Sequence, residues 1–173
     1  MKNIKINKIV INVGVGKLSQ LPNFNDKILP TITAELSRIS GQKPKTTTSK
    51  KSIAGFKSRV GQIIGIVITL RGKRAIDFAS RLTITALPRV KDFRGLNIEN
   101  VDKNGSLNIG IREHVVFPEI KAEDSPYNFG LQVTIVLSGT TDRNEAIEYY
   151  RKIGIPLKKH EINIKGGKHK KAK

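Results

Sequence analysis

Between Gly41 and Arg59 the chain sets hydroxyl and ammonium groups side by side without one carboxylate: Gly41-Gln42-Lys43-Pro44-Lys45-Thr46-Thr47-Thr48-Ser49-Lys50-Lys51-Ser52-Ile53-Ala54-Gly55-Phe56-Lys57-Ser58-Arg59. Donors at that density suit phosphate oxygens, which makes Lys43, Lys45, Thr46, Thr48, Lys50, Lys51, Ser52, Lys57 and Arg59 candidate contacts to a nucleic-acid backbone. Phe56, alone between Gly55 and Lys57, is placed either to stack on an unpaired base or to anchor in a core, and the sequence leaves both open.

Other chemistries are poorly provided for. Val13-Gly14-Val15-Gly16-Lys17 has neither the third glycine of a dinucleotide turn nor the Gly-Lys-Ser/Thr of a phosphate loop. A strand end that lets another backbone come close accounts better for Gly14 and Gly16. His114, His160 and His169 have no ligand-like spacing, so no metal is expected. Glu119, Glu123 and Asp124 lack a placed histidine or lysine partner and read as a solvated loop. With no cysteine, disulfides, thiolate metal sites and a cysteine nucleophile are excluded. The expectation is a protein without catalytic residues or cofactor.

Charge points the same way. Across 173 residues, 32 lysines and arginines face 14 acids, a net +18 that calls for a polyanionic partner. The excess is local: residues 1–76 carry 15 bases and 2 acids, residues 77–156 carry 10 and 11, and residues 157–173 carry 7 and 1. From Leu36 to Ile76 there are ten bases and no acid, whereas an ordinary solvated face mixes its signs. Nucleic acid is therefore the expected partner, bound either within a larger ribonucleoprotein or by a free RNA chaperone or nucleoid-type protein. No apolar run approaches the roughly 20 residues of a membrane span, so no membrane partner is expected. Met1 to Ile6 enters an alternating pattern directly, without a signal or transit segment.

The elements that must position these groups follow from periodicity. Ile9, Ile11, Val13 and Val15 alternate with Val10, Asn12, Gly14 and Gly16, the period of a half-buried strand. Residues 26–40 carry a helical stripe, Ile28, Ile32, Leu36 and Ile39, with the secure part starting near Pro30 and ending at Gly41. A short polar strand or loop at 45–49 precedes a strand at 63–71, where Ile64, Ile66, Ile68 and Leu70 oppose Ile63, Gly65, Val67, Thr69 and Arg71. A helix at 73–87 turns Ile76, Ala79, Leu82 and Ala86 inward, and strands follow at 107–111 and 131–138. Asp142 and Glu145 cap a third helix with Ala146, Ile147, Tyr150 and Ile153 inward, stopped by Gly154 and Pro156. Repeated one-sided alternation predicts an α+β fold, an antiparallel or mixed sheet with helices on one face. The other face stays open for RNA and presents Asn12, Gly14, Thr69 and Arg71. One domain is expected over 1–156, with a flexible basic tail over 157–173.

Five blocks carry a resemblance: Gly41-Gln42-Lys43-Pro44, Lys50-Lys51-Ser52-Ile53-Ala54-Gly55-Phe56-Lys57, Thr69-Leu70-Arg71-Gly72, Ala86-Leu87-Pro88-Arg89-Val90-Lys91-Asp92-Phe93-Arg94-Gly95 and Val116-Phe117-Pro118-Glu119-Ile120. In this order, over about residues 4 to 156, the chain resembles the bacterial-type large-subunit ribosomal proteins of the L5 family, which bind 5S ribosomal RNA. The resemblance implies a place in the central protuberance beside 5S rRNA, 23S-type rRNA and neighbouring 5S-binding ribosomal proteins. It further implies a contact to peptidyl-site transfer RNA and a bridge to a small-subunit head protein, in ribosomes of the bacterial cytoplasm or of an organelle. Carried across, the family's 5S contacts fall on Asn12, Gln42, Phe56 and Thr69. The transfer-RNA loop falls on Gly61, Gln62, Ile63, Ile64 and Gly65, where family members often have Met-Pro and this chain has Gln62-Ile63. An uncharged segment bracketed by glycines reads as an exposed turn, against the alternative that its isoleucines extend the following strand into the core. The sequence departs from the family in lacking the helical segment before the first strand and in carrying the basic tail.

Overall fold

The alternation around Ile9 and Ile11 produces β1 (Lys5–Gly14), buried on one side and open on the other. The structure, a computed structural model, describes residues 3–158 of the chain. β1 is the middle strand of a five-stranded sheet with β2 (Lys45–Thr48), β3 (Ile63–Arg71), β4 (Leu107–Ile111) and β5 (Leu131–Ser138), in the order β2-β3-β1-β5-β4. Every pairing is antiparallel, which resolves the expected antiparallel-or-mixed sheet. Ile9, Ile11, Ile66, Ile68, Leu70, Val133 and Ile135 line the covered face, and each is at most 2% exposed.

Helix α1 (Leu29–Ser40) follows a wide π-type turn over Phe24–Ile28 and places Pro30 in its first turn, where no intrahelical N–H is needed. Gly41, at φ 68°, ends it in the left-handed conformation and donates its N–H to the Ser37 carbonyl at 2.8 Å. Ile32, Leu36 and Ile39 are buried, each stabilising the layer by about 1.5–3 kcal/mol.

Helix α2 (Lys73–Arg81) runs into a π-type turn, Leu82–Ala86, and a tighter turn, Leu87–Arg89. Ala79, Leu82 and Ala86 point inward as expected, but Ile76 is 56% exposed and Ala75 and Phe78 take its place. Phe78 is the bulkiest apolar group available to this stripe, and burying it against Phe117 centres the stripe on 75, 78 and 82.

Helix α3 (Arg143–Lys152) is capped by the Asp142 carboxylate, which accepts the Asn144 N–H at 3.0 Å. It buries Ala146, Ile147 and Tyr150, while Ile153 lies past its end and is 37% exposed. The Tyr150 hydroxyl sits 2.9 Å from the Gly105 carbonyl and 3.0 Å from that of Ile135, fixing α3 to β5, and burial pushes its pKa well above the ordinary phenol value.

Packing continues past the expected boundary at 156. Leu157 is buried and pairs in parallel with Leu96, whose N–H donates to the Pro156 carbonyl and whose carbonyl accepts the Lys158 N–H. The rest of the expected tail, 159–173, lies outside the described residues. Among the described residues no helix is long and apolar enough to cross a membrane.

Candidate nucleic-acid interface

The strand register decides which candidate residues share a surface. Asn12 stands opposite Val67 on β3 and Gln132 on β5, Lys45 is opposite Val67, and Gly110 is opposite Gln132. One row across the open face therefore reads Lys45, Val67, Asn12, Gln132, Gly110. The next row reads Thr69, Val10, Thr134, Asn108, and the one beyond it Arg71, Lys8, Val136. On the other side lies Thr47, Gly65, Gly14. The structure thus brings Asn12, Gly14, Lys45, Thr69 and Arg71 together on one uncovered face. Gly16 lies beyond β1, where its carbonyl accepts the Ser19 hydroxyl at 2.9 Å.

Gln42 joins this surface from the end of α1. Its Nε2 donates to the Thr69 carbonyl at 3.2 Å, and Arg74 Nη1 lies 3.4 Å from its Oε1. Lys43 beside it is exposed. Lys8 continues the alternation of Val10, Asn12 and Gly14 and could have been read from the sequence, whereas nothing in the spacing marks Arg74, which only the approach of α2 places here.

The period-two rule also sorts the β2 hydroxyls. Thr46 pairs with buried Ile66 and so points to the helix side, which removes it from the open face. Thr47, paired with Gly65, holds the open position. A register slip after Thr47 sets Thr48 opposite Ile63 and returns it to the open row.

Lys50, Lys51, Ser52, Phe56, Lys57 and Arg59 belong to the hairpin loop between β2 and β3 and are all exposed. At its base the Ser49 N–H donates to the Gln62 carbonyl at 2.8 Å, and the Gly61 N–H donates to the Ser49 carbonyl at 2.9 Å. Ile53 and Ser58 exchange backbone hydrogen bonds around the turn Ala54–Phe56, and Lys57 closes it at φ 51°. Phe56 is 75% exposed, so it is not a core anchor. Ile53 and Val60 are exposed with it. The loop is pinned by Gln20 Nε2, which donates to the Phe56 carbonyl, and by Gln62, whose Nε2 donates to Ser19 Oγ and whose Oε1 accepts the Arg59 N–H.

The segment 61–65 is not the exposed turn expected of it. Gly61, at φ 83°, and Gln62 make the bend, but Ile63, Ile64 and Gly65 are already strand β3. Their backbone is claimed from both sides: Ile63 pairs with Thr48, Gly65 with Gly14 and Thr47, and the Ile64 carbonyl accepts the Val15 N–H at 3.0 Å. Ile63 is half-buried and packs against the edge of the core, while Ile64 is 38% exposed.

No pair of groups on these surfaces is arranged for acid–base work. The groove of about 540 Å³ between α2 and α3, on the opposite side of the sheet, is lined by Ile6, Ile76, Ala79, Tyr149 and Ile153 with only Lys5 as an ionisable cation. Among the described residues no group of three or more His, Asp or Glu could hold a metal. Residues 1–59 match the family Ribosomal protein L5, and residues 63–157 match the C-terminus of the same ribosomal family.

The chain belongs to the ribosomal L5 family. It is 42% identical over 153 residues to the large ribosomal subunit protein uL5 of Halothermothrix orenii, covering 88% of this chain and 83% of that protein. It is 43% identical over 155 residues to uL5 of Chlorobaculum tepidum, covering 90% and 82%, and 44% identical over 154 residues to uL5 of Spiroplasma kunkelii, covering 89% and 83%. As an L5 protein the chain is a structural, RNA-binding constituent of the large ribosomal subunit and not an enzyme.

Proposed function

We propose that this L5 protein binds 5S rRNA through the open sheet face and the β2–β3 hairpin. The observation that carries the reading is the exposure of Phe56 on a loop of lysines, hydroxyls and no acid. That is the chemistry for stacking one unpaired base while the flanking phosphates are neutralised. Asn12, Gln42, Thr69, Lys45 and Arg71 form the second part of the same surface, with Gly14 leaving room for close approach. On this reading the chain sits in the central protuberance of the large subunit, against 5S rRNA, 23S-type rRNA and neighbouring 5S-binding ribosomal proteins. The bend at Gly61 and Gln62, with the adjoining Val60 and Ile64, offers uncharged surface for peptidyl-site transfer RNA. The bridge to a small-subunit head protein completes the reading.

The test is a titration of 5S rRNA over a range of salt. Replacing Lys50 and Lys51 by alanine is expected to weaken binding and to make the log-affinity against log-salt slope shallower by up to about 2 units, one for each phosphate no longer neutralised. An unchanged slope would return both lysines to bulk solvent. Sedimentation supplies the second arm: the protein should stay with large subunits at moderate salt, whereas a free RNA chaperone would wash off.

A further inference from the structure

We infer that the groove between α2 and α3, on the helix side of the sheet, is a docking slot for one amphipathic helix of a neighbouring protein in the large subunit. It lies on the side of the sheet away from the proposed RNA contacts and does not depend on the 5S rRNA reading.

Each of the two helices carries two faces. α2 buries Ala75, Phe78 and Leu82 toward the sheet and turns Ile76, Ala79, Ser80 and Thr83 sideways into the groove. α3 buries Ala146, Ile147 and Tyr150 and turns Glu148, Tyr149, Lys152 and Ile153 toward it. Both sideways sets recur every three to four residues, the spacing at which one helix meets another. Ile76 and Ile153 carry the most weight. Their periodicity is that of core residues, yet they stand 56% and 37% exposed, apolar groups set for a core that this chain leaves open on one side.

The sheet shows the same gap. On β1, Ile9 and Ile11 are at most 1% exposed, whereas Ile6, nearer the start of the strand, is only partly buried and forms the floor of the groove. The space of about 540 Å³ continues past Tyr149 and Ile153 into one of about 740 Å³ beside Ile4. A helix laid along this slot would cover Ile4, Ile6, Ile76 and Ile153 together and complete the helical layer.

Charge selects the class of partner. In a chain of net +18, the rim of this groove sets Lys5 and Lys152 against Glu145 and Glu148 and is balanced. A polyanion gains nothing there. An apolar centre with a rim of both signs is instead the anatomy of a contact between proteins.

The experiment places a photoreactive benzophenone amino acid at Ser80, an exposed position in the groove, and irradiates large subunits purified from cells making the full-length variant. The expected product joins this chain to one other ribosomal protein, at a peptide whose apolar residues recur every three to four positions. Adding Ile76→Glu and Ile153→Glu is expected to cut its yield about tenfold. The melting temperature of the isolated chain should move by no more than a few degrees, both side chains being accessible to solvent already. If the two substitutions together unfold the chain, Ile76→Glu alone makes the same comparison. A product with rRNA, with a second copy of this chain or with a peptide lacking helical spacing would overturn the inference. So would the absence of any product, or a yield that the glutamates leave unchanged.

Discussion

Phe56 shows what a single residue can and cannot announce. Its neighbours Lys50, Lys51, Lys57 and Arg59 define an anion-binding segment by composition alone, but an aromatic among them is equally a core anchor until its exposure is known. At 75% exposed it contributes little to folding, so Phe56→Ala is expected to leave the melting temperature within a degree or two. It should cost about 1–3 kcal/mol of RNA binding, with little dependence on salt, because removing a stack releases no counterions. A titration paired with thermal unfolding checks both. A large drop in melting temperature with normal binding would make Phe56 structural. Gln42 illustrates the opposite case: its turn was legible from Gly41 and Pro44, but its hydrogen bond to the Thr69 carbonyl spans 27 residues of sequence and is visible only in the fold.

Elements with a strong period were legible. The alternations at β1, β3, β4 and β5 and the stripes of α1 and α3 are burial patterns written directly into residue type, and Gly41 and Gly154 end helices through positive φ. Where two placements bury similar area, periodicity does not choose. Ile76 yields its inward place to Phe78 on those terms, and Ile63 and Ile64 become strand because the neighbouring backbones of β1 and β2 need partners. The hairpin loop is then held by a few side chains, of which Gln62 makes two contacts and Gln20 one. Gln62 holds the Arg59 N–H at 2.9 Å and Ser19 Oγ at 2.8 Å, joining the loop to the turn Leu18–Gln20. Gln62→Ala is expected to destabilise the fold by about 1 kcal/mol, one of these bonds being exposed and the other half-buried. Its larger effect should be to release the loop, seen as faster amide exchange over 50–60 with β3 unchanged. Exchange that accelerates equally throughout the sheet would show that Gln62 supports the whole fold instead.

At the scale of the molecule the charge is divided: residues 1–76 carry a large cationic excess, and residues 77–156 are close to neutral. Joining the two is a buried contact that no RNA reading uses. His114, fully buried and stacked on Phe129 at 3.9 Å, places Nε2 at 2.9 Å from Ser125 Oγ and 3.3 Å from Glu35 Oε2 on α1, while the Phe129 N–H lies 3.5 Å from Nδ1. Burial lowers its pKa below the ordinary 6.5, and the Glu35 charge and the contacts to Phe129 and Asn128 only partly offset that. The unfolded chain therefore takes up a proton near pH 6.5 that the folded chain still refuses. Stability should be fully present above that pH and fall as the pH drops through 6.5 toward the folded-state value. This window lies at the ordinary histidine range, which is where the linkage of His114 should be read. Melting temperatures measured from about pH 7.5 to about pH 5 should decline for the wild type. They should decline less steeply for His114→Gln, which keeps an amide donor near Ser125 and Glu35 but cannot be protonated, even though its stability at neutral pH is lower without the ring stack. Equal slopes in the two proteins would remove His114 as the source and assign the acid sensitivity to the carboxylates.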